Sequence, residues 1–163
     1  MIPIDIKPEW LESAKSKAKE MGILNRSFMK GDGNIAGFVG EHMVADYLRA
    51  EFSNTHDYDL VRNRIKIDVK TKRCTSPPRP DYECSVSTYY KQACNFYVFC
   101  RVLTDYTEGW ILGIIKRDDY FKQARMYKKG TRDPSNGMVF KADSWNLEIS
   151  KLLDLEKLVK EKA

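Results

Sequence analysis

His56-Asp57-Tyr58-Asp59-Leu60-Val61-Arg62-Asn63-Arg64-Ile65-Lys66-Ile67-Asp68-Val69-Lys70-Thr71-Lys72 reads as two short strands joined by a tight turn, and it is charged where an ordinary core hairpin is apolar. Ile65, Ile67, Val69 and Thr71 alternate onto one face, and Lys66, Asp68, Lys70 and Lys72 onto the other. A two-residue turn at Asn63-Arg64 pairs Arg62 with Ile65, and the same register sets Asp59 opposite Asp68. Carboxylates so placed stand roughly 5 Å apart at their β-carbons and repel each other. A divalent cation between them turns that repulsion into binding. Lys70 points to the same face, so pleat geometry alone puts a lysine beside two acids. Asn63 suits a primed hairpin turn, whereas Arg64 stands where glycine is preferred. A turn at Arg62-Asn63 instead sets Asp59 opposite Lys66 and leaves an ordinary cross-strand ion pair.

Working outward, a chain of 163 residues suits a single domain, 1–163, with a sizeable core. With 42% hydrophobic and 31% charged residues, and three Trp, nine Tyr and seven Phe, it is too aromatic for a disordered chain. No apolar run approaches the roughly 18 residues that cross a bilayer. The stretch from Met1 to Pro8 has no basic region followed by an apolar one, so neither a membrane span nor a signal peptide is expected. Cys74, Cys84, Cys94 and Cys100 lack the close pairing of zinc sites and read as reduced thiols of a cytoplasmic protein. The net charge is +5. Lys66, Lys70, Lys72 and Arg73 cluster at the hairpin, and Lys122, Arg125, Lys128, Lys129 and Arg132 later. Such clusters neutralise phosphates, or simply make a solvated basic face.

Pro8 marks the start of a first helix that runs to about Met21 and stops at Gly22, with Trp10, Leu11, Ala14, Ala18 and Met21 as its apolar stripe. Asn25 to Asn34 reads as a polar loop or flap, and Ile35 to Glu51 as a second helix. Strands are expected near Asp57–Arg62, Ile65–Arg73, Glu83–Ser87, Phe96–Leu103 and Gly109–Ile115, with short edge strands at Met138–Phe140 and Trp145–Ile149. Thr75 to Pro80 is proline-rich loop. Further helices are expected over Thr88–Ala93, over Asp118–Arg125, and after a Ser150 cap through Val159. This order predicts an α/β (α+β) fold with a mixed central sheet flanked by helices.

The second helix carries an anomaly. Gly37, Phe38, Val44, Ala45 and Leu48 share one helical face, and Glu41 falls within it. An ionised glutamate facing a core is costly unless something pairs with it. It reaches either to a lysine at the edge of the stripe or to the hairpin, where it completes an acidic cluster with Asp59 and Asp68. Gly37 and Gly40 suit close approach of a neighbouring backbone. His42 lies about 100° around the helix from Glu41 and is expected to point elsewhere.

An acid-x-Lys triplet alone is a weak signal, and Asp5-Ile6-Lys7 is a second one between prolines. In context, Glu41, then Asp59, then Asp68-Val69-Lys70 resembles the PD-(D/E)XK nuclease superfamily. Gly37-Phe38-Val39-Gly40-Glu41, Tyr58-Asp59-Leu60-Val61 and Ile67-Asp68-Val69-Lys70-Thr71 look like its phage and archaeal Holliday-junction-resolvase-like branches. The likeness covers about residues 35–103. Tyr58 replaces the proline that names the first motif, and Asp68 stands where glutamate is more frequent. Relatives often carry a glutamine after the triplet's strand, and Gln92 is the candidate here, otherwise a surface residue. Tyr89 and Tyr90 suit base stacking or helix packing.

The resemblance implies a restriction-endonuclease-like core and a Mg²⁺-dependent, structure-selective or weakly specific endonuclease acting on DNA, branched or single-stranded DNA included, with Mn²⁺ able to substitute. Asp59, Asp68 and the Val69 carbonyl would bind the metal, and Glu41 directly or through water. Lys70 would orient the attacking water and offset transition-state charge, while Lys66, Lys72, Arg73 and Gln92 would contact nucleic acid. RNA, exonucleolytic action, a non-catalytic nucleic-acid-binding module, a partner-binding accessory protein whose acidic cluster is only structural, and a homodimer remain open alternatives.

Overall fold

In the computed structural model, the described residues are 1–25, 32–53, 55, 57–87, 92–134 and 136–156. They form a six-stranded mixed sheet with helices on one face and a three-stranded sheet on the other. The elements are β1 (Ile2–Asp5), α1 (Pro8–Asn25), α2 (Asp32–Leu48), β2 (Glu51–Phe52), β3 (Leu60–Arg62), β4 (Ile65–Cys74), β5 (Glu83–Val86), β6 (Phe96–Leu103), β7 (Glu108–Lys116), α3 (Arg117–Gln123), β8 (Arg125–Tyr127) and β9 (Ser144–Glu148). The large sheet runs β1-β7-β6-β4-β3-β2, and the small one β5-β9-β8. β4 and β6 are parallel, and every other pairing is antiparallel.

The pleat of β4 sorts its side chains onto two cores. Ile67 and Val69 pack beneath α2 with Val39, Met43, Val98 and Val102. The opposite face carries Tyr97, Phe99, Trp110, Tyr120 and Leu147, under the small sheet and α3. Tyr120 ties these layers together, donating its hydroxyl to the Trp145 carbonyl at 2.6 Å.

The hairpin forms in the first of the two registers. Asn63 and Arg64 both adopt positive φ, 48° and 67°, the primed turn that matches strand twist. Arg62 pairs with Ile65 and Leu60 with Ile67. The first strand is shorter than expected: the paired residues end at Leu60, and Asp59 donates its N–H to the Ile67 carbonyl at 2.9 Å instead of pairing with Asp68.

Other expectations shift. Ile2–Asp5 is an edge strand that the proline obscured; Pro3 lacks an N–H, which an edge tolerates. α1 continues through Gly22 to Asn25, and α2 spans Asp32–Leu48 rather than Ile35–Glu51. Ser144–Glu148 is the middle strand of the small sheet, not an edge. Met138–Phe140 contributes only an isolated bridge, Val139 with Arg132. Arg125 belongs to β8, beyond α3. Ser150 caps no helix: it lies in the 3₁₀ turn Ile149–Lys151, and Leu153 then bridges to Ile114. Most of the 25–34 loop, the segment 88–91 with Tyr89 and Tyr90, and the end of the final helix fall outside the described residues. All four cysteines are free. Among the described residues no helix is long and apolar enough to cross a membrane.

Candidate metal and catalytic site

Where β3 leaves the ladder, the edge of β4 lies open, and side chains from both sides of the sheet meet there. The Asp59 carboxylate fills the gap: its Oδ2 accepts the Val69 N–H at 2.7 Å, in the place of a ladder carbonyl. Within a strand, the N–H and C=O of one residue point the same way, so the Val69 carbonyl is turned toward Asp59 as well.

Asp68 is buried, with 4% of its surface exposed. Its Oδ1 accepts Gln92 Nε2–H at 3.0 Å, and its Oδ2 lies 2.8 Å from Lys70 Nζ as an ion pair without hydrogen-bond geometry. Gln92 is oriented in turn, since the Tyr97 hydroxyl donates to its Oε1 at 3.1 Å. That bond leaves the amide nitrogen to face the carboxylate. Lys70 Nζ also sits 5.9 Å from the centre of the Tyr97 ring.

Glu41 arrives from α2. The buried residues of that helix are Ala36, Val39, Met43, Val44, Ala45 and Leu48, a wider arc than the expected stripe, in which Val44, Ala45 and Leu48 are as expected and Glu41 falls between Leu48 and Ala45. The close approach is made by Gly40 alone: a Cβ there would stand 1.8 Å from Thr71 Oγ1, whereas nothing lies within 4 Å of one at Gly37. This contact seats α2 on β4 and presents Glu41, 12% exposed, to the hairpin. Its carboxyl lies close enough to that of Asp59 for the two charges to interact, and Lys17 Nζ of α1 approaches Oε2 to 3.9 Å. Both expected partners of Glu41, the acids and a lysine, are therefore present.

Burial of three carboxyl groups together has an electrostatic signature. Burial, then the Asp59 charge, pushes Glu41 from 4.5 up to about 8. Burial also pushes Asp68 up to about 6 against the pull of Lys70. Asp59 is raised by burial, offset in part by the Val69 N–H and Lys70. A group of acids that hold protons in this way is one that a cation would stabilise.

The other expected residues divide. Lys66 lies over the Tyr58 ring at 5.2 Å, flanking the hairpin. Lys72 shares the Asp68 face but lies further along β4, where it lines a cavity with Arg101. Arg73 alternates onto the other face, and the structure does not bring it to the acids. His42 points away, 3.2 Å from Ser13 Oγ and stacked on Trp10. Asp46 is exposed and pairs with Lys7 at 3.8 Å. Sequence reasoning missed Tyr97 and Lys17. Tyr97 carries no local signal, since a tyrosine in an apolar strand reads as core. Lys17 lies on the polar side of α1, where many lysines are equivalent until α2 packs against it.

No three His, Cys, Asp or Glu side chains among the described residues close into a ready-made ligand cage. No protein-family model and no curated protein matches the chain.

Proposed function

We propose that this chain is a Mg²⁺-dependent nuclease of the PD-(D/E)XK type that hydrolyses phosphodiester bonds in DNA. The carrying observation is the meeting of Glu41, Asp59 and Asp68 beside Lys70 at the open edge of β4.

The donor set fits a hard divalent cation. It consists of carboxylate oxygens and one turned backbone carbonyl, and Mg²⁺ keeps several waters, so it needs only one or two carboxylates and no closed protein cage. Asp59, Asp68 and the Val69 carbonyl would hold it, with Glu41 reached directly or through water. When bound, the metal supplies Lewis-acid polarisation of the phosphate and a water of lowered pKa.

The protein's own groups do the rest. Lys70 is salt-bridged to Asp68 and is free to turn to a phosphate oxygen or water once that carboxylate is engaged, offsetting developing negative charge. Gln92, held by Tyr97, fixes the rotamer of Asp68. Lys66 and Lys72, at either end of the same strand face, suit flanking phosphates. The four free thiols accord with a cytosolic site of action, in a bacterial or phage-infected cell.

The test is incubation of the purified chain with duplex, single-stranded, forked and four-way-junction DNA, and with RNA, in Mg²⁺, Mn²⁺ or EDTA. Cleavage that requires metal is expected, with losses of about 10²–10³-fold or more in Asp68→Ala and Lys70→Ala while binding persists. Binding without cleavage of any substrate overturns the reading in favour of a non-catalytic module. Cleavage of RNA alone, or only from ends, relocates the activity on the same site.

A further inference from the structure

Between β8 and β9 the chain makes a well-bonded hairpin that belongs to neither core. Gly130 N–H donates to the Phe140 carbonyl at 2.8 Å, Phe140 N–H to the Thr131 carbonyl at 2.9 Å, and Asp133 N–H to the Met138 carbonyl at 2.7 Å. Lys129 N–H donates to Asp143 at 2.8 Å, and the Tyr127 and Phe140 rings stack at 4.8 Å at the base. Near the tip, Met138 N–H donates to Asn136 Oδ1 at 2.9 Å, and Gly137 takes a φ of 74°. Despite this order, Met138 is 69% and Val139 48% exposed.

The surroundings of this apolar pair are cationic. Residues 128–143 carry four cations, Lys128, Lys129, Arg132 and Lys141, against Asp133 and Asp143, a net of +2. The arm is also continuous with the site. Met138, Val139 and Phe140 line a cavity of about 760 Å³ that Lys72 and Arg101 also line. Lys72 lies on the β4 face that carries Asp68, four residues and about 13 Å along the strand. Arg101, 8% exposed, donates one N–H to the Glu83 carbonyl at 2.8 Å and lies over the Tyr82 ring. Asp81, Glu83 and Asp133 also line the cavity, along with Lys72, Arg79, Arg101 and Lys141, so its walls are nearly balanced in charge. The one-sided positive charge is on the arm.

We propose that residues 128–143 form a nucleic-acid arm, whose Lys128, Lys129, Arg132 and Lys141 grip backbone phosphates while Met138 and Val139 pack against a base unstacked from the strand that runs along β4. The partner's identity rests on the nuclease reading above. Cations at phosphates position a strand without reading its sequence, and apolar side chains such as methionine wedge between base steps and unstack them. Two exposed apolar residues are too small an area for a stable protein interface, which needs about 800 Å² from each partner. The arm thereby confers preference for DNA that is already unpaired or branched, where unstacking costs least.

The test uses the full chain in EDTA, with a labelled duplex and a fork of the same sequence bearing 2-aminopurine at the branch. Lys129→Gln/Arg132→Gln is expected to weaken both DNAs alike, by about ten-fold, and to lower the salt slope by roughly two. Met138→Ser/Val139→Ser is expected to leave duplex affinity and salt slope within about two-fold, to weaken the fork by about ten-fold, and to abolish 2-aminopurine brightening. Both changes are on exposed side chains, and matching thermal unfolding confirms that the fold is intact. Wild-type affinity of both variants for both DNAs overturns the arm; if the wild type nevertheless cuts in Mg²⁺, the nuclease reading survives. Arm-dependent binding without any cleavage overturns the nuclease reading and keeps the arm.

Discussion

Glu41→Gln tests whether the carboxyl cluster is held together against its own charge. In the folded chain Glu41 keeps its proton up to about pH 8, whereas the unfolded chain releases it near 4.5. Between those values folding takes up a proton, so stability that is full below pH 4.5 is lost as the pH rises toward 8. At about 1.4 kcal/mol per pH unit, the interval sets a ceiling of about 5 kcal/mol. Glu41 and Asp59 interact electrostatically, so the loss belongs to the pair, and about half the ceiling is assigned to Glu41. Glutamine keeps the volume and a hydrogen-bond donor toward Asp59 but cannot ionise. In EDTA, between pH 5 and 8, the wild-type Tm is expected to fall by about 5–10 °C more than that of Glu41→Gln. Thermal unfolding followed by circular dichroism reads this directly. A wild-type Tm that is flat or rising over this interval, or a variant with the same slope, refutes the reasoning. Mg²⁺ selects the ionised carboxylates, so its stabilisation of the wild type grows with pH over the same range.

Two further perturbations test how the scaffold sets the site. Gly37→Ala is expected to stabilise by about 1 kcal/mol, from helix propensity in open space. Gly40→Ala is expected to destabilise by about 1–3 kcal/mol in urea unfolding, because its Cβ would meet Thr71 Cβ at 2.9 Å, which rotation of the hydroxyl cannot relieve; equal gains at both positions would show that α2 does not rest on β4 at Gly40. Arg64→Gly relieves a positive φ of 67° in the turn and is expected to raise stability by about 1 kcal/mol, a Tm gain of about 2–4 °C. A loss of stability there would mean that the Arg64 side chain contributes more than its backbone strain costs.

The hairpin and its charged face were legible in the sequence because both are local. Strand alternation has a period of two, and a two-residue turn fixes register, so the pairing of Arg62 with Ile65 and Leu60 with Ile67 follows from a turn at Asn63-Arg64, although the ladder ends before Asp59 can pair with Asp68. The apolar runs that became β6 and β7 were legible for the same reason, as was the helical stripe of α1. Harder to read were elements whose identity depends on a neighbour. Ile2–Asp5 is a strand only because β7 offers it an edge, and Ser144–Glu148 is central only because β5 and β8 flank it. Gln92 was one candidate among surface residues until Tyr97, on a strand parallel to β4, oriented its amide.

What the sequence determined by itself was therefore a set of one-dimensional facts: which residues share a strand face, which turn joins the hairpin, and that the acids Glu41, Asp59 and Asp68 occur in that order with Lys70 following. Tertiary structure alone decided that they meet. The exit of β3 from the ladder opened the edge of β4, the Gly40–Thr71 approach set the height of α2, and Val69 N–H turned Asp59 inward. Each depends on atoms far apart in the chain and close in space, where sub-ångström packing and the field of neighbouring charges act, and neither is encoded in any window of sequence.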